Sequence, residues 1–302
     1  METHALPGAR FVDPKVLARI KDLELLARNV VDGFINGLHR APFFGASVDF
    51  AEHRGYVAGD DVRRVDWKLY ARTDRYYVKQ YEADTNANLC VLLDVSKSMG
   101  FKSDEVSKLE YASFLAASLA YLSHRQRDRV GIVTFDEEVV THVPPSAKHF
   151  PVLLHTLDRS KPERPGRLLA MLDKLAEHFK RRSIVALISD LYENPADILE
   201  ALKPYRALGN DVIVFHVLDP AEITFPYTDA SRFQDLESGE EVPVVPEVFA
   251  DQYRQMMREH IEALTARCSE SRIDYIQLQT SQPLDEALFL YLGNRERLRR
   301  IR

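Results

Sequence analysis

Asp94, Ser96 and Ser98 place three oxygen-bearing side chains at alternate positions in Asp94-Val-Ser-Lys-Ser98. Immediately before them runs Leu89-Cys-Val-Leu-Leu93, a continuous apolar stretch of the kind that forms a strand buried on both faces. A loop leaving such a strand can turn the three side chains toward one point, forming an oxygen-rich cup. Hard divalent cations such as magnesium accept oxygen ligands of this type and keep several waters. A second carboxylate is placed to join the cup, because Asp190 ends another apolar stretch, Ser183-Ile-Val-Ala-Leu-Ile-Ser-Asp190. Open parallel sheets gather ligands outside the carboxyl ends of their strands, so the two aspartates belong on one rim.

The same residues invite a second chemistry, a hydrolase using Ser96 or Asp94. Acyl transfer by serine needs a base, an orienting acid and an oxyanion hole. The segment is not a G-x-S-x-G elbow, no histidine lies near it in sequence, and Lys97 reads as a solvated side chain. An aspartyl-phosphate phosphatase generally carries a second aspartate two residues after the first, where this chain has Ser96. There is no glycine-rich phosphate loop of either common pattern. His216 lies inside an apolar strand and reads as a hydrogen-bonded core histidine. The protein therefore reads as a binding module rather than an enzyme.

The elements that must position the cup alternate between strand and helix. Lys108 to Arg125 carries Leu109, Ala112, Leu115, Ala116, Leu119 and Leu122 at helical spacing. Strands are expected at 128–135, 183–190, 211–218 and 273–279, with a shorter edge strand at 138–143. Helices are expected at 150–157, 168–181, 196–208, 248–271 and 284–300. That alternation predicts a mainly parallel sheet wrapped by helices on both faces. Residues 221–246 interrupt it, with a strand at Glu222-Ile-Thr-Phe-Pro226 and a hairpin turning at Ser238-Gly239. A helical stripe runs from Val16 to Phe34 near the start. The basic end, Asn294 to Arg302, complements a helix dipole.

Between them, Gly59-Asp-Asp-Val-Arg-Arg-Val-Asp-Trp-Lys68, Ala71-Arg-Thr73 and Val78-Lys-Gln80 interleave carboxylates and guanidinium groups around the single tryptophan, Trp67. This stretch resembles the signature of the domain of unknown function 58 family, in which it leads into a von Willebrand factor A-like D-x-S-x-S strand, as it does here into Asp94. The resemblance covers roughly residues 40 to 290. It implies a von Willebrand A-like (Rossmann-type) α/β domain over 86–302, preceded by an accessory segment over 1–85. It also implies a metal-ion-dependent adhesion site for Mg2+. There Ser96 and Ser98 match the direct hydroxyl ligands, Asp94 the water-mediated carboxylate, and Asp190 the holder of a metal-bound water. The threonine that usually completes such a site is replaced by Gly166-Arg167-Leu168. This departure suggests a further alternative, a metal-free binding domain in which Arg167 takes a partner's carboxylate directly. Relatives are associated with MoxR-type AAA+ ATPases, so the resemblance implies an adaptor or co-chaperone-like partner of such an ATPase acting on a client protein.

Composition sets the outer limits. The chain has 302 residues, 45% of them hydrophobic and 28% charged, as an ordinary globular protein does. A formal net charge of −6 gives no global electrostatic case for nucleic-acid binding. Two cysteines make no disulfide framework. No export leader and no apolar run of about 18 residues is visible. The expectation is a cytoplasmic protein without membrane insertion.

Overall fold

The computed structural model describes residues 13–38, 53–55, 67–79, 87–176, 179 and 182–300. Chain contacts divide the protein into two units, Met1–Gly37 with Asn86–Arg302, and Leu38–Thr85. The first helices thus group with the larger unit, which differs from the expected division at residue 85. They are α1, Pro14–Leu17, and α2, Leu23–Leu38. A single stripe had suggested one helix here. Asp22 splits it by accepting from the backbone N–H groups of Glu24 (2.9 Å) and Leu25 (3.1 Å), which starts α2 afresh.

In the smaller unit, β1 (His53–Gly55) pairs antiparallel with a strand that follows helix α3 (Trp67–Thr73), namely β2 (Tyr77–Lys79). Tyr70 and Tyr76 stack with ring centroids 4.4 Å apart. Asp60, Asp61, Arg63, Arg64 and Asp66 of the signature lie outside the described residues, as do the side chains of Arg54 and Trp67, and with them the expected carboxylate–guanidinium scaffold.

The larger unit continues as β3 (Asn88–Asp94), α4 (Lys108–Arg125), β4 (Arg129–Phe135), β5 (Val139–Ser146), α5 (Phe150–Arg159), α6 (Leu168–Ala176) and β6 (Ile184–Ser189). Then come α7 (Pro195–Ala207), β7 (Asp211–Leu218), α8 (Pro220–Thr224), β8 (Ser231–Gln234), β9 (Glu241–Val244), α9 (Pro246–Glu270), β10 (Asp274–Gln279) and α10 (Asp285–Arg300). Six strands form one sheet in the order β10-β7-β6-β3-β4-β5. All neighbours run parallel except the edge pair β4–β5. This is the mainly parallel, helix-wrapped sheet expected from the alternation of elements.

Side-chain alternation along each strand feeds two apolar layers. Cys90 and Leu92 of β3, Val133 and Phe135 of β4, Val185 and Leu187 of β6, and Val212 and Val214 of β7 share one core with α6, α7 and α9. The opposite face is covered by α4, whose small and apolar side chains are buried along nearly its whole length. Alongside it, Phe34 of α2 packs edge-on against Phe289 of α10, centroids 4.7 Å apart.

One element overturns its expectation. Residues 222–226 do not form a strand; α8 takes their place. Pro220 occupies the first turn, and Asp219 and Glu222 form a reciprocal capping box. The β8–β9 hairpin does form, turning through Gly239 at φ +77°, a backbone region open to glycine. Among the described residues, no helix is long and apolar enough to cross a membrane.

Candidate functional site

The chain enters the sheet at β3, places β4 on one side of it and β6 on the other. The order therefore reverses between β3 and β6, and a crevice opens outside their carboxyl ends. Asp94 closes β3 and Asp190 follows β6, so the fold brings the two expected aspartates to that crevice. Both are almost wholly buried, as is Ser96.

Each Asp94 oxygen is held. Oδ1 accepts from the Ser96 backbone N–H (2.9 Å), and Oδ2 accepts from the Ser189 hydroxyl (2.7 Å). Burial, and next to it the charge of Asp190, push the Asp94 carboxyl up to about 7 despite these hydrogen bonds. Ser189 accepts in turn from the Leu191 N–H (3.2 Å). Leu191 itself sits at φ +49° with its side chain fully buried, a strained conformation for a branched residue. Strain is thus stored where the β6 strand turns to present Asp190.

The Ser96 and Ser98 hydroxyls lie 3.2 Å apart. Adjacent ligands of an octahedral magnesium ion, bound at about 2.1 Å, are separated by about 3.0 Å. The separation of the hydroxyl pair is that of a metal's edge, and Asp94 is tied to the same loop through the Ser96 N–H. Among the described residues no group of three or more His, Cys, Asp or Glu side chains could hold a metal. Any ion here would depend on the hydroxyls.

Asp190 is engaged differently from the expectation. Its Oδ2 accepts from the ammonium of Lys108 (2.8 Å), which also donates to Glu222 Oε1 of α8 (2.7 Å). Lys108 is the first residue of α4 and is fully buried. The Tyr192 ring lies over its Nζ at 4.9 Å. Burial alone would lower the Lys108 ammonium, but the two carboxylates outweigh it and hold it above its ordinary value. A cation of this chain thus neutralises Asp190.

Arg167, the expected partner-binding cation, has an exposed side chain, and its backbone N–H donates to the Asp136 carbonyl (3.3 Å). Its neighbour Gly166 is the residue that reaches the cup. A Cβ there would fall 2.8 Å from Ser96 Cβ, so only glycine allows this approach. The Lys97 N–H donates to the Arg164 carbonyl (2.9 Å), tying the two loops together.

Onto this seat comes a residue that sequence reasoning did not select. Glu237, in the β8–β9 turn, accepts from the Ser98 N–H through Oε1 (2.7 Å) and from the Gly166 N–H through Oε2 (2.7 Å). At Gly166, where the sequence lacks the threonine usual to such sites, the cup offers a backbone N–H, and a carboxylate occupies it. The rim is acidic: burial, then the charges of Asp190 and Glu237, hold the Glu193 carboxyl above its ordinary value. His216 donates through Nε2 to the Asp190 carbonyl (2.8 Å) and accepts at Nδ1 from the Tyr275 hydroxyl (2.7 Å). It is the satisfied core histidine expected, braced against the β6 end of the site.

A family model described as "Protein of unknown function DUF58" matches residues 52–270. An uncharacterised protein of Mycobacterium tuberculosis is 31% identical over 235 residues, covering 75% of this chain and 73% of that protein. Among solved structures, an aerotolerance-related membrane protein of Bacteroides fragilis superposes with a TM-score of 0.49 at 18% identity, over 69% of this chain and 99% of that one. The conserved hypothetical protein BatB of Bacteroides thetaiotaomicron gives 0.48 at 17% identity, over 69% and 98%.

Proposed function

We propose that this chain, which belongs to the DUF58 family of proteins of unknown function, is a non-enzymatic interaction module whose cup receives an acidic side chain of another protein. The observation that carries the reading is the pair of backbone N–H groups, from Ser98 and Gly166, converging on one carboxylate. Charge-assisted N–H bonds of this kind select a carboxylate without needing a catalytic group. The partner is a MoxR-type AAA+ ATPase, and the chain acts as its adaptor toward a client, in the cytoplasm.

Ser96 and Ser98 would hold Mg2+ directly, with Asp94 and Asp190 behind them. The ion would supply a positive centre to which a partner's carboxylate adds as the last ligand. Arg167, exposed beside Gly166, would meet the partner's remaining negative charge. A metal-free mode is favoured by two observations: Lys108 already compensates Asp190, and the N–H pair holds a carboxylate unaided. Against the hydrolase stands the polar company of the serines. Ser96 Oγ meets Ser98 Oγ, and among the described residues no histidine hydrogen-bonds to either.

Pull-down with the purified MoxR-type ATPase of the same organism tests the reading. Wild type should capture it, and Asp94→Ala and Ser98→Ala should each lose capture at least tenfold. Capture that survives both substitutions removes the side-chain cup and its ion as the contact, and leaves only the backbone N–H pair, which neither substitution deletes. Calorimetry with MgCl2 and MnCl2 separates the two modes. Heat that disappears in Ser96→Ala/Ser98→Ala supports the metal, and no heat from either ion leaves the N–H pair alone. Turnover of a generic ester or phosphate, lost in the same double variant, would revive the enzyme.

A further inference from the structure

Glu237 does not belong to the strands, loops or helices that build the cup. It arrives on a hairpin whose two strands of four residues pair only with one another. Residues 241–243 of β9 are exposed. Isolated two-stranded hairpins are marginally stable in water. Aromatic contacts hold this one through β8, where Phe233 stacks on Phe225 (5.6 Å) and meets Tyr227 edge-on (5.0 Å). At its tip the attachment to the cup is Glu237.

The tip is built to present that side chain. Asp235 Oδ1 accepts from the Glu237 N–H (2.8 Å), and the Asp235 carbonyl accepts from the Gly239 N–H (2.8 Å). The Glu237 carboxylate then spends one oxygen on each loop of the cup. Both N–H groups proposed to receive a partner's acid are therefore already satisfied. The rim also carries Asp94, Asp190 and Glu193, so a second carboxylate cannot simply join Glu237 there. It has to replace it.

We propose that Glu237 is an intrachain stand-in for the partner's carboxylate, and that the β8–β9 hairpin is a latch that keeps the cup closed until an acidic side chain displaces it. The inference rests on the reading of the cup as a carboxylate seat for a partner. The ordered tip holds Glu237 at an effective concentration well above the roughly millimolar values of short flexible linkers, so a lone free acid at tens of millimolar fails against it. Displacement is reserved for a partner that adds contacts of its own, and removing Glu237 opens the seat to simple carboxylates.

Acetate is the fragment that Glu237→Ala deletes, and it is the probe. Backbone amide resonances of Ser98 and Gly166 are followed during acetate titration of wild type and Glu237→Ala, in EDTA. In the variant both resonances should start displaced and return toward their wild-type positions by tens of millimolar acetate; in wild type they should not move. Hydrogen exchange across 231–244 should rise at least tenfold in Glu237→Ala and in Glu237→Gln, with Leu89–Leu93 and Ile184–Ser189 unchanged as the control for folding. Equal acetate response in wild type and variant, no response in either, or hairpin exchange within twofold of wild type overturns the latch. A latch that passes in a chain that captures no ATPase sinks the proposed function alone. Capture at the cup without these responses sinks the latch alone.

Discussion

Lys108 shows how one residue changes the electrostatics of the crevice. It begins α4, where a positive charge faces the positive end of the helix dipole, and it is stripped of water. Asp190 and Glu222, at 2.8 and 2.7 Å, together with the Tyr192 ring over Nζ, make that position tolerable. Removing one member of a buried ion cluster costs roughly 3–5 kcal/mol, because the remaining charges stay buried without compensation. Lys108→Met should lose stability of that order in urea denaturation. Lys108→Met combined with Asp190→Asn and Glu222→Gln should recover most of it. A single variant within about 1 kcal/mol of wild type would mean the carboxylates are solvated or protonated and the ion cluster is not formed. In the sequence Lys108 is no more than the start of a helix. Its partners lie 82 and 114 positions away, and no local pattern reports a contact over such distances.

The element that supplies Glu222 was more nearly legible. Asp219-Pro-Ala-Glu222 is a helix-start pattern, but Ile223, Thr224 and Phe225 weigh toward a strand. The cap prevailed because the Asp219 carboxylate serves several donors at once. It accepts from the Ala221 N–H (2.8 Å), from the Ser103 N–H (2.8 Å) and from the Ser103 hydroxyl. Capping alone is worth about 1–2 kcal/mol. Asp219→Ala should therefore cost about 2 kcal/mol in urea denaturation and loosen α8 in hydrogen exchange, with the loss of Glu222 from Lys108 as the structural consequence. A cost under about 0.5 kcal/mol would show that α8 is held by packing instead. The core strands, by contrast, were readable within a residue or two, since each is apolar on both faces and ends in a polar turn. The hairpin turn was readable from Ser238-Gly239. That its Glu237 reaches Ser98, 139 positions earlier, was not. The two serines and two aspartates could be placed from strand ends, whereas the groups that occupy their neighbourhood are set by tertiary packing.

At the scale of the whole molecule, two buried titrating groups on either side of Asp190 pull stability in opposite directions. Asp94 is pushed up to about 7 by burial and by Asp190, against about 3.8 when unfolded. Between those values the native state holds a proton that the unfolded chain lacks, so stability rises as pH falls from 7 to about 4. His216 is pushed down to about 3 by burial and by the neighbouring His260, against 6.5 when unfolded. Across that interval the unfolded chain holds the extra proton, so stability falls as pH drops from about 6.5 toward 3. Each group has a limiting slope of about 1.4 kcal/mol per pH unit, and the two oppose one another between about pH 4 and 6.5. Wild type in EDTA should show little dependence on these two groups over that window. Asp94→Asn should lose stability on acidification relative to wild type, by up to about 1.4 kcal/mol per unit, and His216→Asn should gain it by a similar slope. Denaturation midpoints at half-unit steps, analysed as slopes and not as absolute stabilities, measure this directly. Parallel profiles for all three proteins would mean that neither group keeps its buried environment in solution. Opposed slopes would place a protonated Asp94 and a neutral His216 on either side of the crevice at mildly acidic pH, with Lys108 the fixed positive charge between β6 and α8.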